Sequence, residues 1–197
     1  MVDPKRKIPY NYTSADDDQI ISHLFGSDLR HVIQALESEK DTGRSSRRLY
    51  RFMGDLFIIQ RNPFLFQEMV DHSRLKNRLF SEFETDLAAI SIHASNPHVR
   101  QVLDRCQAAL SALSQKIHSA RSFQHHLLKQ LSPLVGRENV YVDPFNLTAH
   151  ATDATDWRRF LPVAVLRPDR EDQVPRLIRK IDALKMHIIP RGGGTGL

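Results

Sequence analysis

The chain has 197 residues, of which 41% are hydrophobic, so it can build one globular domain and part of a second. Its single cysteine excludes an intrachain disulfide and any all-cysteine zinc or iron–sulfur site within this segment. No apolar run reaches the roughly 18 residues of a membrane span and no apolar signal core follows the N-terminus, so a cytoplasmic protein is predicted. The net charge of +5 is interpreted as belonging mostly to a solvated surface.

The N-terminal region predicts an extended arm and two short helices. Residues 1–13 are polar and contain two prolines, which is typical of an extended segment. Ser14 begins a loose capping box for a helix that ends at Gly26. Ser27 can cap a second helix, whose apolar residues recur at helical spacing until the chain reaches Gly43.

The densest basic patch of the chain follows, and it consists of Arg44, Arg47, Arg48 and Arg51. On a helix, spacings of three and four residues place these arginines on neighbouring faces, where they can hold phosphate or an acidic partner. The alternative is a solvated face whose aliphatic stems pack over the core. Residues 56–59 are apolar and partly β-branched, so their periodicity does not distinguish a strand from the end of a helix.

Two longer helices are predicted next, after a short one capped by Asn62 and opened by Pro63. On the first of them, apolar residues form one stripe, which consists of Leu75, Leu79, Phe83, Leu87 and Ile90. On the second, apolar residues recur at alternating steps of four and three, as in a coiled coil: Val99, Leu103, Cys106, Leu110, Leu113, Ile117 and Ala120. We therefore predict an antiparallel helical hairpin over residues 73–131. Its seam packs internally or joins two copies of the chain.

Metal and thiol chemistry are not predicted in this helical region. His125 and His126 are adjacent, so they face apart on a helix, and no metal-binding motif accompanies them. Cys106 has the seam position of a small hydrophobic residue, which favours a structural role over that of a catalytic thiol.

The composition changes after residue 135, where helical periodicity ends. Asp143, Asp153 and Asp156 follow in chain that we predict to be irregular, and they are interpreted as solvated or turn-capping acids. Residues 163–166 predict a strand, and Asp169 or Asp172 is expected to cap the next helix. Ile188 and Ile189 then predict a second strand, which would complete a βαβ unit with a right-handed crossover.

The last segment is a glycine-rich loop, Pro190-Arg-Gly-Gly-Gly-Thr-Gly-Leu197. Glycines allow positive φ and a close approach of backbone N–H groups to an anion, so the loop can form a nest for a diphosphate. No lysine follows as in a Walker A loop, and Leu197 stands where a dinucleotide fingerprint needs its third glycine. From these residues alone, a structural tight turn is an equally good interpretation.

Two stretches carry a resemblance to a known family: Pro162-Val-Ala-Val-Leu-Arg-Pro168 and, after a helix-length gap, Ile189-Pro-Arg-Gly-Gly-Gly-Thr-Gly-Leu197. They resemble the start of the FAD-binding domain of the vanillyl-alcohol oxidase and p-cresol methylhydroxylase (PCMH) type, in the branch of D-lactate and glycolate oxidases. Asp143-Pro144 and residues 152–155 resemble the segment that leads into this domain, with His150 where a tyrosine is common.

Three N-terminal stretches, residues 8–14, residues 42–45 and Gly54-Asp55, resemble the helical extension of large, cluster-containing members of the same branch. The resemblance implies an α+β protein: an N-terminal helical domain over residues 1–135 with the long antiparallel hairpin, and then, over residues 136–197, the incomplete start of a PCMH-type FAD-binding domain. The chain is accordingly expected to be a fragment that is inactive alone and retains FAD weakly.

The resemblance also implies a function, the oxidation of a 2-hydroxy acid of the D-lactate or glycolate type by hydride transfer to FAD. It assigns contacts with the FAD pyrophosphate to the terminal loop, namely Pro190, Arg191, Gly192, Gly193, Gly194, Thr195, Gly196 and Leu197. No catalytic residue is assigned in this segment. The electron acceptor is unidentified, with an iron–sulfur domain elsewhere as one candidate, and the protein is expected in the cytoplasm or at the periphery of the inner membrane.

The alternative function belongs to a different class. A helical interaction module would use the Arg44 to Arg51 stripe to bind nucleic acid or an acidic protein, and its binding would weaken steeply with salt. The FAD-linked interpretation, by contrast, involves no nucleic acid and leaves formation of a homo-oligomer open.

Overall fold

The computed structural model describes Ser22 and residues 24–29, 31–33, 44–93, 96–151 and 161–194. Within these ranges the chain is mostly helical with one small antiparallel sheet, which agrees with the predicted α+β class at a coarse level. The elements are α1 (Arg44–Arg61), α2 (Pro63–Asp71), α3 (Ser73–His93), α4 (Pro97–Val135), a 3-10 turn (Arg137–Asn139), β1 (Val140–Tyr141), α5 (Pro144–Ala149), β2 (Val165–Leu166) and α6 (Gln173–Ala183).

The turn at Gly26 lies where the first helix was predicted to end. Gly26 has φ +101° and its N–H donates to the Ser22 carbonyl at 3.1 Å, so the helical residues before it stop there. Asp28 accepts hydrogen bonds from Arg105 of α4 at 2.8 and 3.0 Å. The Arg105 guanidinium, which donates these bonds, lowers the pKa of the Asp28 carboxyl. This exposed ion pair ties the turn to the long helix.

Helix α1 includes residues 56–59, which resolves the ambiguity between strand and helix in favour of helix. Its apolar residues recur at helical spacing and are buried on one side, namely Leu49, Phe52, Met53, Leu56 and Ile59. Asn62 then caps α2 as predicted, because its side-chain oxygen accepts from the N–H groups of Phe64 and Leu65 at 3.0 and 3.4 Å.

Helix α3 packs against α1 and α2. Phe83 meets Phe52 of α1 edge to face, with ring centres 5.1 Å apart, and Phe83, Leu87 and Ile90 are buried. The two helices of the predicted hairpin over residues 73–131 are present as α3 and α4, and their antiparallel pairing stays a prediction. Sequence periodicity defines the apolar stripe of a helix but not which helix covers it.

Helix α4 begins at Pro97, as predicted, and Asn96 caps it by accepting from the His98 N–H at 2.8 Å. The predicted seam is buried, at Val99, Leu103, Cys106, Leu110, Leu113 and Ile117. Burial raises the pKa of the Cys106 thiol to about 12, which fits a core residue. The ammonium of Lys116 lies 5.5 Å from the centre of the Phe66 ring of α2.

The described chain divides into two compact units, and the division falls within α4, with His118 in the first unit and Ser119 in the second. The predicted boundary after residue 135 refers to sequence domains and stays a prediction. The core of the second unit is formed by Leu127, Leu131, Val135, Val140, Leu177 and Ile181. The end of α4, the strand β1 and the helix α6 therefore share one apolar centre.

The sheet of the second unit differs from the predicted βαβ unit. Val165–Leu166 forms a strand as expected, but it pairs antiparallel with β1, which places Val140 opposite Leu166. Ile188 and Ile189 are not a strand, and Ile189 is 89% exposed. β-Branched residues before a proline have strand propensity, yet a strand also needs a partner, and no described segment pairs with these two.

One further prediction for the second unit was wrong, and another was right about the position of a cap but not about its hydrogen bond. The residues after Asp143 are not irregular, because Pro144–Ala149 forms α5 with Asp143 as its cap. Asp172 holds the cap position of α6 without a side-chain capping bond. Instead the buried Gln173 turns back, and its Oε1 accepts from the N–H groups of Asp169 and Arg170 at 3.0 and 3.3 Å.

Among the residues that the structure describes, no helix combines the length and the apolar character that crossing a membrane requires.

Candidate functional site

The end of α6 determines how the chain enters the glycine-rich loop. The Met186 N–H donates to the Ile181 carbonyl at 3.2 Å and the Lys185 N–H to the Asp182 carbonyl at 2.8 Å. These two bonds form a Schellman motif, with Lys185 in the left-handed region at φ +55°. Met186 packs against the core that contains Ile181, which is the apolar contact typical of this motif. The helix end is therefore held firmly before the loop begins.

The described part of the predicted site is accessible. Pro190, Arg191, Gly192 and Gly193 are exposed and Gly194 is half-buried, whereas Thr195, Gly196 and Leu197 lie outside the described residues. A Cβ added at Gly192 would meet nothing within 4 Å. The backbone at this position is thus open to a ligand from outside.

Of the three loop glycines that are described, only Gly194 adopts a positive φ, at +72°. The Arg191 guanidinium lies over Gly194, with Nη2 closest and Nε and Cζ 2.8 and 2.9 Å from where a Cβ would stand. A side chain at residue 194 would therefore be strained and would displace Arg191. The loop therefore presents exposed backbone N–H groups and a guanidinium, and both kinds of donor can bind an anion.

A polar cluster that the sequence did not predict lies beside the small sheet. The guanidinium of Arg167 stacks over Tyr141, with its carbon 5.1 Å from the ring centre. Its Nη2 approaches His150 Nε2 at 3.5 Å, and His150 Nδ1 lies 2.9 Å from the Asn146 carbonyl. Tyr141 lies in β1 and Arg167 directly follows β2, so the antiparallel pairing of the two strands brings them together.

Asp143 is the one described member of the acidic set, and it has a capping role as predicted. Its carboxylate accepts from the backbone N–H of Asn146 at 3.0 Å and from the side-chain amide of Asn146 at 2.9 Å. Partial burial raises the pKa of this carboxyl, but these hydrogen bonds outweigh burial and leave the pKa below its usual range. Asp153 and Asp156 lie outside the described residues.

No group of three or more potential metal ligands occurs within the described ranges. His125 and His126 are exposed on α4. In the arginine stripe, Arg48 and Arg51 are exposed, while the side chains of Arg44 and Arg47 lie outside the description. The exposure of Arg48 and Arg51 is compatible with the interpretation of the stripe as a solvated face.

Comparison with known proteins gives one match. Residues 3–115, more than half of the chain, match the sequence model of a family described as protein of unknown function (DUF3683). No curated protein and no solved structure matches. The matched region contains α1 to α3 and the arginine stripe, whereas the glycine-rich loop lies outside it.

Proposed function

The chain belongs to the family of proteins of unknown function DUF3683. We propose that it contributes the start of a PCMH-type FAD-binding domain to an FAD-dependent oxidoreductase. The substrate class that we propose is a 2-hydroxy acid of the D-lactate or glycolate type. When bound, FAD would accept the hydride from the substrate.

The observation that carries the proposal is the loop after α6. Its backbone is exposed at Arg191, Gly192 and Gly193, and a Cβ at Gly192 would stand in open space. Exposed N–H groups of consecutive small residues can donate to the oxygens of a diphosphate, because no side chain keeps the phosphate at a distance. The described residues of the loop therefore fit the proposed cofactor.

Arg191 would add a charge to these backbone donors. Its guanidinium lies over Gly194 and so stands beside the amides that would hold a phosphate. A guanidinium forms charge-assisted hydrogen bonds with phosphate oxygens, which are stronger than those of a neutral donor. In this proposal Arg191 turns from Gly194 towards the pyrophosphate, and the Schellman motif at Lys185 keeps the entry to the loop fixed.

The protein's own part in catalysis is limited to binding in this region. No described residue is assigned as an acid or base for the oxidation. We propose that the groups that hold the substrate and receive its electrons, including an iron–sulfur domain as a candidate acceptor, lie outside these 197 residues. The 197-residue chain alone is accordingly expected to retain FAD weakly.

The test uses the complete gene product that contains this chain. After purification we expect the absorbance spectrum of an oxidised flavin, release of FAD on denaturation, and reduction of a dye acceptor with D-lactate or glycolate. Gly194→Val should lower the FAD content by about tenfold, because it forces a left-handed β-branched residue into the Arg191 contact.

The matched control is Gly54→Ala, which changes a glycine of α1 where a Cβ would meet nothing. Its FAD content should equal that of the wild type. A colourless complete protein that gains no flavin on incubation with FAD would contradict the proposal. So would a coloured protein whose FAD content is unchanged by Gly194→Val.

A further inference from the structure

A guanidinium and an imidazole face one another beside the small sheet of the second unit. Arg167 Nη2 and His150 Nε2 are 3.5 Å apart, although both side chains are basic. None of the ion pairs among the described residues involves either of them, so no carboxylate of the described chain is paired with this site. Basic groups that lie together without an acid favour the binding of an anion.

The imidazole of His150 is held in one orientation by its own helix. Nδ1 lies 2.9 Å from the Asn146 carbonyl oxygen, which can only accept, so Nδ1 carries a hydrogen and donates it. The backbone N–H of His150 donates to the same carbonyl at 3.2 Å. Nε2 is therefore the ring nitrogen that is left to meet a ligand, and it lies on the side of Arg167.

Arg167 is held from the other side of the site. Its backbone N–H donates to the Asn139 carbonyl at 3.0 Å, directly after the last paired residue of β2. Its guanidinium carbon lies 5.1 Å from the centre of the Tyr141 ring. A stacked guanidinium gives its flat face to the ring and keeps the N–H groups of its edge for other partners. Because Arg167 is exposed, a ligand can reach this edge from solvent.

The direct contact between the two side chains is a poor hydrogen bond. An N–H donor normally lies about 2.9–3.0 Å from its acceptor, so a separation of 3.5 Å is at the limit for the pair Nη2 and Nε2. A ligand oxygen can lie at the normal distance from both nitrogens at once, because the two short sides close a triangle on the longer one. The two nitrogens are thus spaced for a group that bridges them.

The number of hydrogen-bonding groups selects a phosphate monoester among the anions. The edge of Arg167 presents two parallel N–H groups, which bind two oxygens of one anion. Nε2 of His150 requires a third oxygen with which it shares a proton, whichever of the two carries it. A monoester has three terminal oxygens and a second pKa of about 6, so it supplies both. A carboxylate has two oxygens, and a phosphate diester has no second proton.

We propose that Tyr141, His150 and Arg167 form a binding site for a phosphate monoester or for free phosphate, which offers the same groups. Arg167 binds two of the oxygens, His150 shares a proton with a third, and Tyr141 positions the guanidinium. This inference is independent of the proposed binding of FAD, because it concerns other residues and because FAD contains diester phosphates.

The experiment titrates the full 197-residue chain with phenyl phosphate and follows the ring nitrogens of His150 by NMR. The spectrum of His150→Gln identifies the resonances of this ring. We expect a saturable change at Nε2 with a dissociation constant of about 1 mM or lower, since three hydrogen bonds with charged groups contribute. Diphenyl phosphate and acetate should bind about tenfold or more weakly, because they lack the third oxygen or its proton.

Inorganic phosphate is the second arm of the titration and identifies the source of the phosphate group. Tighter binding of phenyl phosphate would indicate an organic phosphate ester as the ligand. Equal or tighter binding of inorganic phosphate would indicate the free ion. Both results support the site, since the chemistry that Arg167 and His150 recognise is the same.

Variants of the three residues test their separate roles. Arg167→Gln should weaken the binding of phenyl phosphate by about tenfold or more, because it removes both the charge and the paired donors. His150→Gln should weaken it as well. Tyr141→Leu removes the ring that positions Arg167 and should weaken binding by about threefold. Tyr141→Phe keeps the ring and should restore most of this loss.

Two control variants remove similar side chains elsewhere. Arg176→Gln changes an exposed arginine of α6, and His126→Gln changes an exposed histidine of α4. Both should bind phenyl phosphate as the wild type does, and thermal melting shows which variants are folded. If Arg167→Gln is unfolded, the comparison of monoester with diester on the wild type still decides between the outcomes.

Four results would overturn the proposal. They are the absence of a saturable change at His150, equal binding of diphenyl phosphate, an equal loss of affinity in Arg176→Gln, and displacement of phenyl phosphate by FAD at the same concentration. The last result would assign these residues to the cofactor instead. It would not depend on the flavin content of the complete gene product, which tests the glycine-rich loop.

Discussion

At the scale of single residues, side chains that bond to nearby backbone N–H groups stabilise the segments in which helices of the second unit begin. Gln173 is buried at 7% exposure, although it is a polar residue, because its Oε1 satisfies the N–H groups of Asp169 and Arg170. Asp143 accepts from the Asn146 N–H inside α5 and so caps that helix. The neighbouring acid Asp172 forms only an exposed ion pair with Arg170, at 3.1 Å. Gln173 therefore stabilises the turn that precedes α6, and no side-chain bond caps the helix itself.

The importance of Gln173 can be measured with a pair of alanine variants. Gln173→Ala should lower the free energy of unfolding by about 1–3 kcal/mol, because it leaves two partly buried N–H groups without an acceptor. Asp172→Ala removes an exposed ion pair and should cost at most about 1 kcal/mol. Urea denaturation followed by circular dichroism measures both. Equal losses in the two variants would show that the bonds of Gln173 do not stabilise the turn before α6.

Asp143 predicts a pH dependence of stability. Its pKa is lowered in the folded chain, so its charge stabilises the fold above the ordinary carboxyl pKa of about 4. That contribution is lost as the pH falls through the folded pKa. Asp143→Asn keeps an oxygen acceptor for Asn146 but removes the charge. Wild type should therefore be more stable than this variant at neutral pH.

The same measurement at acidic pH checks the sign. Thermal unfolding from pH 7 down to about 3 should show the difference between wild type and Asp143→Asn shrinking with acidification. Asp143→Ala removes the cap itself and should lose about 1 kcal/mol throughout. A difference that grows as the pH falls would contradict the assignment.

At the scale of elements, the two ends of α6 are made by different means, and its C-terminal end leads to the candidate site. The Schellman motif requires a residue in the left-handed region, and here a lysine occupies that position instead of the usual glycine. A left-handed conformation is unfavourable for a residue with a Cβ. The helix end therefore carries backbone strain, which the contact of Met186 with the core offsets.

Lys185→Gly should release this strain. We expect the free energy of unfolding to rise by about 0.5–1 kcal/mol. Glycine removes the cost of the left-handed conformation, and its greater conformational freedom in the unfolded chain cancels part of this gain. Lys180→Gly changes the same residue type inside α6 and should instead lose about 1 kcal/mol. Differential scanning calorimetry distinguishes the two signs. A loss of stability in Lys185→Gly would refute the assignment of strain to the lysine.

At the scale of the whole molecule, two compact units each have buried apolar residues of their own. Leu56 of α1 is fully buried in the first unit, and Leu131 of α4 is buried in the core of the second. The candidate loop depends on the second unit, because α6 packs through Leu177 and Ile181 onto that core. The candidate loop therefore depends on packing contacts that are separate from those around Leu56.

Core truncations test this separation. Leu56→Ala and Leu131→Ala should each cost about 2–5 kcal/mol, the range measured for buried leucines. In amide hydrogen exchange, Leu131→Ala should lose protection chiefly in β1 and α6, and Leu56→Ala chiefly in α1 and α3. Uniform loss of protection along the chain in both variants would show that the two units unfold as one.

Several features of the fold could be predicted from the sequence because they depend on neighbouring residues. The turn at Gly26, the cap at Asn62, the start of α4 at Pro97 and the apolar seam of α4 all follow from local backbone preference or helical periodicity. The same local information identified the glycine-rich loop, because glycine and proline interrupt the chain wherever they lie.

Tertiary structure decided what depends on residues distant in the sequence. It placed Val140 opposite Leu166 in an antiparallel pair, turned the predicted βαβ unit into this small sheet and left Ile189 exposed. It also brought α3 to α1 and placed Arg167 over Tyr141. The physical reason is that propensity and periodicity describe one segment at a time, whereas strand pairing and helix packing require a second surface that the segment itself does not encode.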